Sequence, residues 1–232
     1  MAPIHSVLFL GDSITADGRY VRILQRYFAE CAREEKQLIG AGLSSETLSG
    51  LSEATHPFPR PCLFDRLEQE IASHPAQAAC FYYGVNDGIY HPFDPERFAR
   101  YQAGVRRLID RLKNSYAQVY AITPGVFEAA CAQNLQPREA PDFAYNMPFQ
   151  DYDQVMARYA DFIRTLDPED GITGVIDVRS PLLAAMKRGI VLTPDGIHPG
   201  DYGHALIART LLEALFQLPP EQSAQVMSLV TN

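Results

Sequence analysis

Residues 7–20 read VLFLGDSITADGRY. An apolar run over 7–10 stops at Gly11, passes through Asp12 and Ser13, and gives way to a helical pattern, RYVRILQRYFAECARE at 19–34. A short continuous apolar run bounded by glycine predicts a buried strand, and the amphipathic stretch behind it predicts a helix. The same grammar recurs down the chain. QLIGAGL (37–43), AACFYYG (78–84), QVYAITP (118–124) and GVIDV (174–178) read as further buried strands. LFDRLEQEIAS (63–73), PERFARYQAGVRRLIDRLKNSY (95–116), DYDQVMARYADFIRTL (151–166) and DYGHALIARTLLEALF (201–216) read as helices. Near-continuous apolar strands alternating with helices predict a mainly five-stranded parallel sheet covered on both faces. Right-handed crossovers turn that into a three-layer α/β/α sandwich. In such sheets ligands sit beyond the carboxyl ends of the strands. The residues just after each strand are therefore the candidates for chemistry.

Composition narrows the functions. With 232 residues, 47% of them hydrophobic, the chain has material for one large core, and a single domain over 1–232 is expected. A net charge of −8, with no basic stripe, argues against nucleic acid or an anionic membrane surface as partner. No stretch approaches the roughly 18 apolar residues of a membrane span. The start, MAPIHSVLFLGDS, lacks the charged region and long apolar region of a signal peptide. Cys31, Cys62, Cys80 and Cys131 are scattered without a CxxC pattern, which predicts reduced thiols, no metal site and a cytoplasmic location. The proline-containing segment at 125–150 has weak periodicity and follows a strand end, so it is expected to form a wall or flap over the site.

Four strand ends supply the candidates. After the first strand comes Ser13, whose hydroxyl needs an adjacent base to become a nucleophile. By itself it reads better as a helix cap. After the second comes Gly42, in Gly42-Leu43-Ser44-Ser45-Glu46-Thr47, where a glycine lets a backbone N–H approach a ligand. After the third comes Asn86, in Gly84-Val85-Asn86-Asp87, able to donate a side-chain N–H or to close an Asx-turn. Just before the last helix, Thr193-Pro194-Asp195-Gly196-Ile197-His198-Pro199 places a histidine three residues after an aspartate. A histidine is the natural base for a serine, and a carboxylate on its other nitrogen fixes the tautomer. Together these residues make a complete acyl-transfer set: nucleophile, base, orienting carboxylate and oxyanion donors.

GDSIT around Ser13, GAGLSSET around Gly42, GVND around Asn86 and DGIHP around His198 resemble, in this order, the four signature blocks of the SGNH hydrolases, also called GDSL esterases and lipases. The resemblance runs from residue 7 to about 210. The first block has isoleucine where the family often has leucine. The second has Ala41 where the family often has asparagine, and Gly40 stands as the alternative to Gly42. The resemblance implies the flavodoxin-like SGNH hydrolase fold. It implies Ser13 as nucleophile, His198 as general base and then acid, and Asp195 as its partner. It implies an oxyanion hole from the N–H groups of Ser13 and Gly42 with the Asn86 amide, and no metal or organic cofactor. The expected activity is carboxylic-ester hydrolysis on a small-molecule or carbohydrate ester, with short acyl groups such as O-acetyl favoured. Thioesterase, lysophospholipase or acyltransferase activity, and a catalytically silent ligand-binding module, are the alternatives. The oligomeric state is left open.

Other residues carry weaker signals. HPFPRP (56–61) offers His56 and Arg60 to the entrance, or forms a structural loop. Asp12 and Asp87 are expected to brace loops, and Tyr90-His91-Pro92 to edge the pocket. His5 and His74 read as surface residues, and His204 as a packing or surface residue. Phe127, Phe143, Tyr145 and Phe149 either stack on a substrate ring or anchor their loop.

Overall fold

The computed structural model describes residues 3–230. Five parallel strands, β1 (Ser6–Gly11), β2 (Gln37–Gly42), β3 (Ala78–Tyr82), β4 (Gln118–Ile122) and β5 (Gly174–Ile176), form one sheet in the order β2-β1-β3-β4-β5. The strands are short and apolar because both faces are covered. Val7 and Phe9 pack on one face, Leu8 and Leu10 on the other, as side-chain alternation requires.

Two helical layers cover the sheet. Helices α1 (Ser13–Asp17) and α2 (Arg19–Arg26) follow β1, and α2 continues as a π-helical turn over Tyr27–Ala32. Helix α3 (Leu67–Ser73) precedes β3, α4 (Pro95–Leu112) precedes β4 and α5 (Tyr152–Arg164) precedes β5. Helices α6 (Arg179–Met186) and α7 (Asp201–Leu215) follow, with a short α8 (Pro220–Ser223). Apolar side chains of α2, α6 and α7 join the core on the Val7–Phe9 face, and those of α3, α4 and α5 join it on the Leu8–Leu10 face. This is the expected three-layer sandwich. Helix α1 starts at Ser13, where a helix cap was expected, ahead of the periodic stretch, while α6 and α8 are helices where none was predicted. Among the described residues no helix is long and apolar enough to cross a membrane.

The strand order reverses at β1, whose neighbours β2 and β3 lead to opposite sides. Gly11, at its end, pairs with Gly42 on one side and Tyr82 on the other. The crevice at such a switch point is where a ligand enters. Helix α1 closes tightly over these strand ends because they are glycine. A Cβ on Gly11 would lie 2.0 Å from Thr15 Oγ1, and one on Gly42 would lie 2.1 Å from the Ala16 nitrogen.

Candidate active site

Ser13 opens α1 one residue after Asp12, whose carboxylate caps the helix by accepting from the Ile14 N–H at 3.0 Å. Across the crevice the turn before α7 delivers His198. Its Nε2 lies 2.9 Å from Ser13 Oγ, although the two residues are 185 apart in sequence. Its Nδ1 lies 2.7 Å from Asp195 Oδ2. The other carboxylate oxygen accepts from the N–H groups of Ile197 at 2.9 Å and His198 at 2.7 Å. One aspartate thus shapes the turn and orients the ring. A carboxylate at Nδ1 holds the proton there and leaves the Nε2 lone pair facing the serine hydroxyl. Partial burial alone would raise the Asp195 pKa, but the hydrogen bonds from His198 and Ile197 outweigh it and hold the carboxylate below its ordinary value.

Ser13, Ser44, Ser45, Asn86, Tyr90 and His198 line one cleft of about 270 Å3, whose outer wall includes His56, Phe58, Arg60 and Tyr145. Asn86 is buried. Its Nδ2 donates to the Glu46 carbonyl at 3.1 Å, which uses one of two N–H bonds, and its Oδ1 accepts from the Tyr90 hydroxyl at 3.1 Å. The second N–H is the one left for a ligand. Gly42 departs from the sequence expectation. The Leu43 N–H bonds the Gly11 carbonyl at 3.0 Å, so the Gly42 N–H, one residue earlier, points the opposite way, to the outer edge of the sheet. Gly42 serves the packing of α1 and does not line the cleft. Gly40 lies further back in β2, facing Val21.

Ser45 lines the cleft beside Ser13, where Gly42 does not. It sits in a turn closed by the Glu46 N–H on the Leu43 carbonyl at 3.3 Å, with φ +67°, a left-handed conformation unusual for serine. The N–H groups of Ser13 and Ser45 make no hydrogen bond to a described residue. Buried struts hold this peptide. Arg60 donates to the Ser45 carbonyl at 3.2 Å and is clamped by Glu53 through bonds of 2.6 and 2.7 Å. Its guanidinium also lies 5.4 Å from the centre of the Tyr90 ring, so the same arginine supports the residue that orients Asn86. Glu46 is fixed by Arg66 and by the Tyr83 hydroxyl. Asp87 accepts from the Leu48 and Ser49 N–H groups at 2.9 and 2.8 Å. Burial pushes Asp12 up to about 7 and Asp87 up to about 6.

The 125–150 segment is a packed wall. Phe127, Phe143 and Phe149 are buried and anchor it, while Tyr145 is exposed beside the cleft. Arg179 of α6 fastens its start, donating to the Gly125 carbonyl and to Asp153. Glu128 then grips the histidine turn. One carboxylate oxygen accepts from the Leu192 N–H at 2.8 Å, the Thr193 N–H and the Thr193 hydroxyl at 2.6 Å. The Glu128 N–H donates to the Gly196 carbonyl at 2.9 Å. His204 is buried against Tyr20, and burial pushes its pKa down to about 4. His5 is exposed and His74 half-buried. Among the described residues no group of three His, Cys, Asp or Glu side chains is placed to hold a metal ion.

The profile of the GDSL-like lipase/acylhydrolase family matches residues 9–206. The chain belongs to this family. It is therefore an enzyme of the ester-hydrolase class. No curated protein sequence matches. Solved structures do. An acetylxylan esterase from Geobacillus stearothermophilus is similar at 20% identity and a TM-score of 0.64, over 90% of this chain and 93% of its own. An alpha/beta hydrolase enzyme from the metagenome of Lake Arreo, Spain, is similar at 20% identity and a TM-score of 0.67, over 97% and 98%. A gut microbial diltiazem-metabolizing enzyme is similar at 17% identity and a TM-score of 0.69, over 92% of this chain and 47% of its own. At these identities the likeness establishes the fold.

Proposed function

We propose that the chain is a serine-dependent carboxylic-ester hydrolase that works through an acyl-enzyme on Ser13. The hydrogen-bonded line from Ser13 Oγ through His198 to Asp195 carries the reading. In the first half-reaction His198 Nε2 takes the hydroxyl proton while Oγ bonds the ester carbonyl carbon, and the carbonyl electron pair moves onto its oxygen. That oxyanion is met by the N–H groups of Ser13 and Ser45 and the free N–H of Asn86. The tetrahedral centre then collapses. Its bond to the alkoxy oxygen breaks, and the proton on His198 passes to the departing alcohol. Water repeats the sequence on the acyl-enzyme and releases the carboxylic acid. Each oxyanion donor is worth about 2.7–4 kcal/mol of barrier.

Short acyl groups are the proposed substrates, O-acetyl groups of carbohydrates first among them. The cleft beside Ser13 is small, about 270 Å3, with Ser44, Ser45, Arg60 and Asn86 set among Phe58, Tyr90, Tyr145 and Ile197. A long acyl chain has little room there. The similar acetylxylan esterase lends the same direction. We place the reaction in the cytoplasm, where the free thiols Cys31, Cys62, Cys80 and Cys131 stay reduced. The test is hydrolysis of p-nitrophenyl esters from acetate to decanoate by wild type and Ser13→Ala. Serine-dependent turnover that falls with chain length supports the reading. Turnover that survives in Ser13→Ala removes it.

A further inference from the structure

Three residues around the cleft hold a left-handed backbone without being glycine: Ser45 (φ +67°), Ile89 (φ +42°) and Tyr90 (φ +58°). Such conformations persist only where the surroundings fix them. Here the surroundings close into a ring of contacts. Arg60 donates to the Ser45 carbonyl at 3.2 Å. The next carbonyl along, that of Glu46, accepts from Asn86 Nδ2 at 3.1 Å. Asn86 Oδ1 accepts from the Tyr90 hydroxyl at 3.1 Å. The Tyr90 ring centre lies 5.4 Å from the Arg60 guanidinium, which returns the ring to its start. The loop after β2 and the loop after β3 are thereby locked to each other, and all three strained residues stand on this ring or next to it.

Arg60 is itself held from behind. Glu53 accepts two bonds from its guanidinium, at 2.6 and 2.7 Å, and Ser52 Oγ accepts from its backbone N–H at 3.2 Å. Both charged side chains are buried, yet Arg60 lines the Ser13 cleft and Glu53 does not. The ion pair thus presents its cationic member to the cleft. Only a guanidinium suits the place. Its planar fork gives two bonds to a carboxylate, a third to a carbonyl, and a flat face to an aromatic ring, where an ammonium is a compact point charge.

Resting on the esterase reading above, we propose that Arg60 is the positioning residue of the oxyanion hole. It acts through two of the three donors at once: it fixes the Ser45 turn from one side and, through Tyr90, the Asn86 amide from the other. Buried ion pairs of this kind serve geometry more than stability, since apolar residues of similar volume often replace them at no cost to the fold.

The experiment uses Arg60→Lys, which keeps the cation and loses the fork, and Arg60→Met/Glu53→Met, which removes both buried charges together so that neither is left unpaired. Two quantities are read at a temperature where circular dichroism finds the variants folded. One is kcat and KM for p-nitrophenyl acetate. The other is Ki for an aryl trifluoromethyl ketone: Ser13 Oγ bonds its carbonyl carbon, the hydroxyl proton passes to His198, and the carbonyl oxygen becomes an oxyanion. We expect kcat to fall about tenfold in Arg60→Lys and about a hundredfold in the double variant, with KM little changed and Ki rising in step with the fall in kcat. In an Asn86→Ala background the loss of the pair should cost only about tenfold more, because part of its effect runs through that amide. Folded variants with wild-type kcat and Ki, or a cost in the Asn86→Ala background as large as in wild type, overturn the proposal and leave the esterase reading intact. Absence of Ser13-dependent turnover in wild type overturns both.

Discussion

Glu128 sits far from Ser13 in sequence, yet the grip it has on the histidine turn makes it a positioning residue for His198. One of its oxygens holds three donors of residues 192 and 193, and its own N–H holds the Gly196 carbonyl. A bond to a charged acceptor contributes about 1.5–3 kcal/mol and one to a neutral acceptor about 0.5–1.5 kcal/mol. Glu128→Gln keeps an acceptor oxygen and loses the charge, so three bonds weaken by about 1 kcal/mol each. The expected loss is about 3 kcal/mol, a fall in Tm of roughly 6–12 °C for a chain of this size. Glu128→Ala leaves buried donors unpaired and costs more. The turn also sets the His198 geometry, and a misplacement of about 1 Å costs about a hundredfold in rate. We expect kcat for p-nitrophenyl acetate to fall about tenfold in Glu128→Gln and about a hundredfold in Glu128→Ala. KM should change little, because Glu128 does not line the Ser13 cleft. The assay is steady-state kinetics at a temperature where circular dichroism finds both variants folded, beside thermal unfolding. A lowered Tm with wild-type kcat would refute the positioning argument, since the turn would then hold His198 without Glu128.

Further outcomes follow from the same structure. Asp195→Asn keeps the turn-shaping acceptor but presents an N–H to His198 Nδ1, which moves the proton to Nε2; turnover should fall about ten-thousandfold with an unchanged circular dichroism spectrum, and a loss under tenfold would contradict the tautomer role. Asn86→Ala should lower kcat about a hundredfold or more and also lower Tm, because the Glu46 carbonyl and the Tyr90 hydroxyl lose a buried partner, whereas Ser45→Gly keeps its backbone N–H, relieves the left-handed serine and should retain turnover. Asp12 holds its proton up to about pH 7 when folded, against an ordinary value of 3.8, so the folded state binds the extra proton between those values and stability falls as pH rises through that window. Asp12→Asn removes that titration, and the Tm advantage of the variant over wild type should grow from pH 5 to pH 8 by differential scanning calorimetry; parallel curves would contradict it. His204, with a folded pKa near 4, works in the opposite sense and weakens the fold only as pH falls from its ordinary 6.5 toward 4.

The sheet was legible because burial on both faces leaves each strand as an unbroken apolar run between turn residues. All five expected strands are present, each within a residue or two of its predicted ends. Helix α1 was legible only as a cap at Ser13: five residues are too few to show a period, and the structure sets it on two glycines whose missing side chains admit it. Helix α6 was hidden because its arginine points inward to Gly125 and Asp153 instead of marking a solvent face. Ser13, Asn86, Asp195 and His198 stand at strand ends and before α7, where the topology concentrates chemistry. Ser45 escaped because the signal for a left-handed turn residue is glycine or asparagine, and this chain uses serine held by Arg60. Glu128 escaped because its partners are more than sixty residues away. The proline-rich HPFPRP stretch divided: Arg60 is a buried strut, and His56 and Phe58 line the entrance.

Everything proposed above turns on covalent acylation of Ser13. The most direct measurement is the intact mass of the protein after reaction with a fluorophosphonate, followed by peptide mapping, in wild type and in His198→Ala. One adduct per chain is expected, on the peptide holding Ser13, formed orders of magnitude more slowly in His198→Ala. No adduct in the wild type, or one mapped to Ser44 or Ser45, would contradict it.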